Sequence, residues 1–276
     1  MTDEATGRPD VPMMWIGGAP GAGKSTIARA LAHEHDLPLH PIDRWTYDHV
    51  QRLGPRDWPP PDPEEPDAAA EVFVESSRER LALVRADVRA RDLGEVPAVV
   101  EGPQLFPDDA SGLRDGWAVW LVPDAEQTRS ARERRLAAVE DPGGRARLAG
   151  YLARDAVLAR RVREGAVVAG RPVVEVGADP DWVAVRRAAE AALAPALGAA
   201  SRLEPGARLA EQRRFENRAA ARQIRLWVET ERLDARPEFP FACECGRSRC
   251  AATWPATVGA YEATASDGPV VTAEHR

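Results

Sequence analysis

The stretch Gly17–Thr26, GGAPGAGKST, decides the fold. From Gly18 to Ser25 it satisfies G-x-x-x-x-G-K-[ST], a loop whose glycines let successive backbone N–H groups turn toward phosphate oxygens. An apolar run, VPMMWIGG (11–18), precedes it, and a helical pattern, KSTIARALAHEHD (24–36), follows. The loop therefore joins a strand to a helix N-terminus, whose positive end favours anions. Lys24 is the only lysine, against 36 arginines in 276 residues. A compact ammonium on a slim stem reaches β- and γ-phosphates where a broad guanidinium fork is no substitute. The pattern predicts that Gly18, Ala19, Pro20, Gly21, Ala22, Gly23, Lys24, Ser25 and Thr26 bind the phosphates of a nucleoside triphosphate. Lys24 serves as the catalytic cation, and the Ser25 hydroxyl holds Mg²⁺.

Outward from the loop, short apolar runs alternate with helical patterns. LPLHPID (37–43), PAVVEG (97–102), GWAVWLV (116–122) and RPVVEVG (171–177) read as four further strands. Helices are predicted over 67–91, 124–140, about 145–165 and 179–197. Asp124 and Gln127 suit a capping box, and Asp179 or Asp181 caps the last helix. Strands lacking polar alternation belong to a parallel sheet covered on both faces. The fold class is therefore α/β: a P-loop NTPase fold with a five-stranded parallel sheet and a small C-terminal α+β unit. The expected division is a flexible tail (1–10), a nucleotide-binding domain (11–197), a linker (198–206) and a C-terminal unit (207–276). The proline-dense stretch GPRDWPPPDPEEP (54–66) forbids helix or central strand and reads as a loop over a site.

Composition narrows the function. Net charge is -7, which argues against binding nucleic acid over the whole surface. No apolar run approaches the roughly 18 residues that a membrane span needs. The N-terminus has no signal-peptide pattern, so a cytoplasmic location is expected. Glu101, in VVEG, stands where a Walker B acid would be. It either holds Mg²⁺ through water or binds the phosphate acceptor; a buried carboxylate capping a loop is the structural alternative.

Over residues 11–197 the layout resembles the small-molecule kinases among the P-loop proteins, which include nucleoside, shikimate and gluconate kinases and the chloramphenicol phosphotransferase. The resemblance implies transfer of the γ-phosphate of ATP to a small hydroxylated molecule. It makes Asp43, after the second strand, the base for the acceptor hydroxyl. It also makes the arginines of the helix after strand four a lid, with Arg129 and Arg132 the catalytic candidates; a solvated helix face is the alternative. The absence of an N-K-x-D motif favours ATP over GTP. A reading from another class stays open: a nucleotide-gated regulatory protein whose C-terminal unit binds a macromolecule.

That unit begins with a helix over about 207–233. Arg214, Arg218, Arg222 and Arg225 form one stripe on it, beside Ala220, Ile224, Trp227 and Val228. The stripe suits a solvated face or packing against an acidic neighbour. Cys243-x-Cys245-x4-Cys250 then places three thiols within reach of one ion, and Gly246 permits the tight turn. Zinc takes four ligands, and the unit's only histidine is His275. A Cys3His zinc site closed by the tail is expected. The segment resembles a short cysteine module of uncharacterised proteins from high-GC bacteria, which implies a separate unit and no activity.

Overall fold

The computed structural model describes residues 12–54, 60–137, 144–230 and 236–275. Its central sheet contains β1 (Met13–Gly18), β2 (Leu39–Pro41), β3 (Ala98–Glu101), β4 (Ala118–Pro123) and β5 (Val173–Val176), ordered β2-β3-β1-β4-β5. Every neighbouring pair is parallel. The connections carry α1 (Lys24–Glu34), α2 (Thr46–Leu53), α3 (Pro66–Ala90), α4 (Ala125–Ala137), α5 (Gly144–Val168), α6 (Trp182–Ala192) and α7 (Ala194–Ala199). This is the P-loop fold that the sequence predicts.

Strand side chains alternate with period two, and here both faces are buried. Met14, Ile16, Val119 and Leu121 pack with Ile27 and Leu31 of α1 and Val185 of α6. Trp15, Val100, Trp120 and Val122 pack on the opposite face with Val74 and Val84 of α3 and Leu158 of α5. No helix among the described residues is long and apolar enough to cross a membrane.

Two helix ends differ in detail from the sequence pattern. The helix expected over 179–197 breaks at Leu193, because Pro195 has no N–H with which to continue the ladder. Asp181 caps α6, accepting from the N–H of Val183 at 2.9 Å and of Ala184 at 3.3 Å. Asp124 accepts from the Gln127 N–H at 2.7 Å, but the Gln127 side chain donates to Gly21 O at 3.0 Å instead of returning to the cap. The start of α4 thus braces the phosphate loop.

The chain continues as α8 (Ala207–Thr230), the antiparallel pair β6 (Phe239–Ala242) and β7 (Thr253–Ala256), and α9 (Val258–Asp267). A third, small core holds Ala220, Ala221, Phe241, Ala256, Tyr261 and Val270. The first turns of α8 bury polar groups against α1. Glu216 accepts from Arg213 Nη1 and Gln212 Nε2, both at 2.6 Å, and lies 2.9 Å from His33 Nε2. Burial alone would raise the Glu216 carboxyl; Arg213 and His33 outweigh it and hold the pKa at about 2. The arginine stripe is largely solvent-exposed but ion-paired: Arg214 with Glu211 and Glu244, Arg218 with Glu211, Arg222 with Asp48, and Arg225 with Glu262.

One buried group on β2 has a consequence for stability. His40 is fully buried, its ring stacked on Trp45 at 5.7 Å, and neither ring nitrogen has a hydrogen-bond partner. Burial, then the nearby Arg91 charge, pushes its pKa from 6.5 to about 3. The unfolded chain accepts a proton that the native state refuses. Stability is therefore full above pH 6.5 and declines below it, by about 1.4 kcal/mol per pH unit, until about pH 3. Urea unfolding between pH 7 and 5 is expected to show this slope, and His40→Phe, which keeps a stacking ring, to lessen it by that amount. Equal slopes in the two chains would refute the assignment.

Candidate active site

The phosphate loop turns between β1 and α1 because its glycines adopt backbone angles closed to other residues. Gly18 has φ +129°, and a Cβ there would lie 2.0 Å from Leu121 O. Gly23 has φ +74°, and a Cβ there would strike the Trp182 ring at 2.3 Å. Lys24 opens α1 and is 6% exposed, with Nζ donating to Ala19 O at 2.8 Å. Burial lowers its pKa to about 8, against the opposing pull of Glu101 and Asp43.

Glu101 ends β3, the strand beside β1, and its carboxylate is 1% exposed. Burial, followed by the charge of Asp43, raises its pKa to about 7; Lys24, a hydrogen bond from Ser25 and Arg44 oppose the rise. Its Oε2 is buried without a partner. Asp43 lies in the 3-10 turn Ile42–Trp45 that follows β2, and its Oδ1 accepts from Gln104 Nε2 at 3.0 Å. The parallel sheet therefore delivers three groups, Lys24, Glu101 and Asp43, to the carboxyl edge of adjacent strands.

A cavity of about 750 Å³ opens there. Its floor includes Gly21, Lys24, Ser25 and Asp43, and α3 supplies a wall containing Ala69, Val72, Phe73 and Arg80. Arg132 of α4 and Arg154 of α5 line the far side. The buried Asp155 holds both: Arg132 donates from Nε at 2.8 Å, and Arg154 from Nη2 at 2.8 Å. Tyr151 lies under both guanidinium groups, at 4.9 and 5.2 Å. Arg80 is 4% exposed and donates to the Ile42 carbonyl and to Thr46 Oγ1, both at 3.0 Å. Pro60 and Pro61 reach the cavity mouth; residues 55–59 of the proline-dense stretch lie outside the described residues.

The structure thus brings Lys24, Ser25, Thr26, Asp43 and Arg132 to one cavity, with Glu101 buried beside Lys24. Arg129 does not line it. That residue points to solvent and lies 3.9 Å from Glu133, so of the two catalytic candidates only Arg132 faces the loop, and Arg135 of the same helix also lines the cavity. Sequence reasoning missed Gln104, Arg80, Tyr151, Arg154 and Asp155. Gln104 follows VVEG by two residues, which is the one local signal; the others come from α3 and α5 and carry none.

A second cluster lies in the C-terminal unit. Cys243, Cys245 and Cys250 Sγ lie 3.5, 3.4 and 3.3 Å from His275 Nδ1. The four ligand atoms are all within 4.8 Å of one another. The Thr272 N–H lies 3.4 Å from Cys243 Sγ and the Arg247 N–H 3.5 Å from Cys245 Sγ, donors that stabilise thiolates. This Cys3His set is compatible with a structural zinc ion.

No family model and no curated protein sequence matches the chain. Among solved structures it is similar to a gluconokinase from Sinorhizobium meliloti 1021, at 17% identity and TM-score 0.39, over 69% of this chain and 96% of that one. It is also similar to a sulfotransferase from Alicyclobacillus acidocaldarius, at 16% identity and TM-score 0.41, over 83% and 97%. A shikimate kinase from Acinetobacter baumannii, solved with shikimate, aligns at 18% identity and TM-score 0.35, over 68% and 94%.

Proposed function

We propose that the protein is an ATP-dependent phosphotransferase that moves the γ-phosphoryl group to a hydroxyl of a small molecule. The observation that carries this reading is the convergence of Lys24 and Asp43 on a cavity with room for an acceptor beyond the phosphate loop, with Glu101 buried beside Lys24. In the proposed reaction the acceptor oxygen bonds to the γ-phosphorus as the bond to the bridging oxygen of ADP breaks. Asp43 takes the hydroxyl proton, held in place by the Gln104 amide. Lys24 and Arg132 stabilise negative charge on the transferred group. Ser25 and the unpaired Glu101 Oε2 fit a Mg²⁺ ion, which would neutralise charge on the β- and γ-phosphates. The reading is supported by the phosphate loop and Asp43 lining one cavity, whereas the arginine stripe on α8 is already ion-paired; no observation favours the regulatory reading.

We further propose that the Cys3His set holds one structural zinc ion. The test of the transferase reading is ADP release in the presence of nucleosides, sugar acids, aminoglycosides and other hydroxylated metabolites. Slow turnover alone and stimulation by one acceptor class are expected, with Asp43→Asn removing the stimulated component. Basal hydrolysis unaffected by every acceptor and by Asp43→Asn would overturn the reading.

A further inference from the structure

The segment Ile42–Leu53, which carries Asp43, meets the sheet through Ile42, buried in its core, and through Trp45, stacked on His40 of β2. It is gripped from two sides. On one side α3 holds it through Arg80, which bonds Ile42 O and Thr46 Oγ1, and through Asp87, which accepts from Arg52 at 2.6 Å and lies 2.9 Å from His49 Nε2. On the other side the grip comes from the C-terminal unit. The Arg44 guanidinium stacks on the Phe239 ring of β6 at 4.1 Å, and Trp45 meets Phe215 of α8 at 5.7 Å. Asp48 pairs with Arg222 at 2.7 Å, and the Tyr47 N–H points to Gln223 Oε1 at 3.4 Å.

The cysteine cluster is continuous with this grip. Cys243 directly follows β6, four residues after Phe239. The loop between Cys245 and Cys250 is fastened to the turn that leads from α1 into β2. Asp36, at φ +51°, accepts from the Arg249 N–H at 2.8 Å and from the Ser248 hydroxyl. Gly246 O accepts from the Gly206 N–H at 2.8 Å at the start of α8. Arg29 of α1 donates to Pro240 O at 2.8 Å. The unit's own core is six buried residues, too few to hold β6 firmly without a cross-link. Metal binding to such a unit is folding free energy, so losing the ion loosens β6 and the N-terminal end of α8 together.

We infer that the C-terminal unit is a clamp on the acceptor side of the active site: folded around its metal, it positions Asp43 by holding Arg44, Trp45, Tyr47 and Asp48. The phosphate loop, braced by Gln127 and Trp182 from the opposite half of the sheet, needs no such support. For turnover the inference rests on the transferase reading; in structure it stands alone. Metal loss then lowers kcat while ATP binding stays unchanged.

The experiment is hydrogen exchange on the full-length chain, comparing zinc-loaded protein with chelator-stripped protein and with Cys250→Ser. Amides of 42–53 are expected to exchange about 10-fold faster or more after metal loss, with β1 and β4 still protected. A second variant keeps the metal: Phe239→Ala combined with Arg222→Ala is expected to speed exchange in 42–53 with zinc still at one per chain. Binding of a fluorescent ATP analogue should be the same in every chain. Unchanged exchange in 42–53 after verified metal loss overturns the clamp, as does equal loss of protection in β1 and β4, or full protection of 42–53 in a chain that never carries metal. None of these readouts requires an acceptor, so failure to find one would count against the transferase reading and leave the clamp standing.

Discussion

Lys24→Arg is expected to abolish ADP formation, with a loss of at least about 10³-fold, although the charge is kept. Lys24 Nζ sits in the bowl of the loop, hydrogen-bonded to Ala19 O at 2.8 Å and almost closed from solvent. A guanidinium is longer and planar, and its five donors cannot all find acceptors there. The variant should still fold, because Lys24 lines the cavity and lies outside both cores of the sheet. Unpaired donors are expected to lower its thermal midpoint without nucleotide, and a native circular dichroism spectrum at the assay temperature then separates chemistry from folding. The free-protein pKa of about 8 adds a second readout. Above pH 8 the ammonium loses its proton, and a bound polyphosphate restores it. ATP binding at pH 8.5 is therefore expected to take up about three-quarters of a proton, read from titration heats in two buffers of different ionisation enthalpy, and affinity should fall above pH 8. The arginine variant, charged throughout, should take up none. An active variant, or proton uptake unchanged by it, would remove Lys24 from the role assigned to it.

The sheet was legible because parallel strands buried on both faces must be short, apolar and unalternating, and the runs of β1, β3 and β4 are of that kind, with the edge strand β5 exposing Glu175. The places of Lys24, Glu101 and Asp43 were legible for a related reason: Glu101 ends β3, Asp43 follows β2 by two residues, and Lys24 follows β1 across the phosphate loop, so topology brings them to one edge. What the sequence left hidden depends on rotation and on distant partners. Arg129 and Arg132 share a face by spacing, yet spacing does not say which part of that face meets the cavity. Asp155 decides it by binding Arg132, and it comes from another helix. Arg80 lies mid-helix among other arginines and is distinguished only by the carbonyl it reaches on the Asp43 turn. On α8 the pattern pointed to Ala220, Ile224, Trp227 and Val228 as the packing stripe. Ala220 is buried as that stripe requires and Ile224, Trp227 and Val228 are half-buried, but the turns before them also bury Gln212, Arg213, Glu216 and Asn217, polar groups that only their partners on α1 and β6 make burial-compatible.

Zinc is expected at one ion per chain in protein purified without added metal, and Cys250→Ser is expected to eliminate it. Three thiols around an imidazole nitrogen, with ligand atoms no more than 4.8 Å apart, match the donor set and compactness of a closed tetrahedral site. Without a cation the arrangement is poor: burial and the neighbouring thiolates push Cys250 up to about 12, so the three sulfurs do not ionise together. Structural zinc contributes about 10–16 kcal/mol at neutral pH in small cysteine–histidine units. That exceeds what a core of six residues supplies, so metal loss is expected to unfold residues 236–275 while the sheet survives. Near-ultraviolet circular dichroism of Phe241, Trp254 and Tyr261 should report the loss. Cobalt substitution should give the visible absorption of a tetrahedral, sulfur-rich site. His275→Ala separates the tail from the thiols: it is expected to weaken metal binding by more than the roughly 100-fold that an outer-shell change costs, measured against a competing chelator, yet leave cobalt–thiolate absorption in place. Full zinc occupancy in Cys250→Ser, or His275→Ala binding as tightly as the parent, would show that the four residues do not share one ion. If they do share one, the last residues of the chain hold β6, and β6 holds the turn on which Asp43 stands.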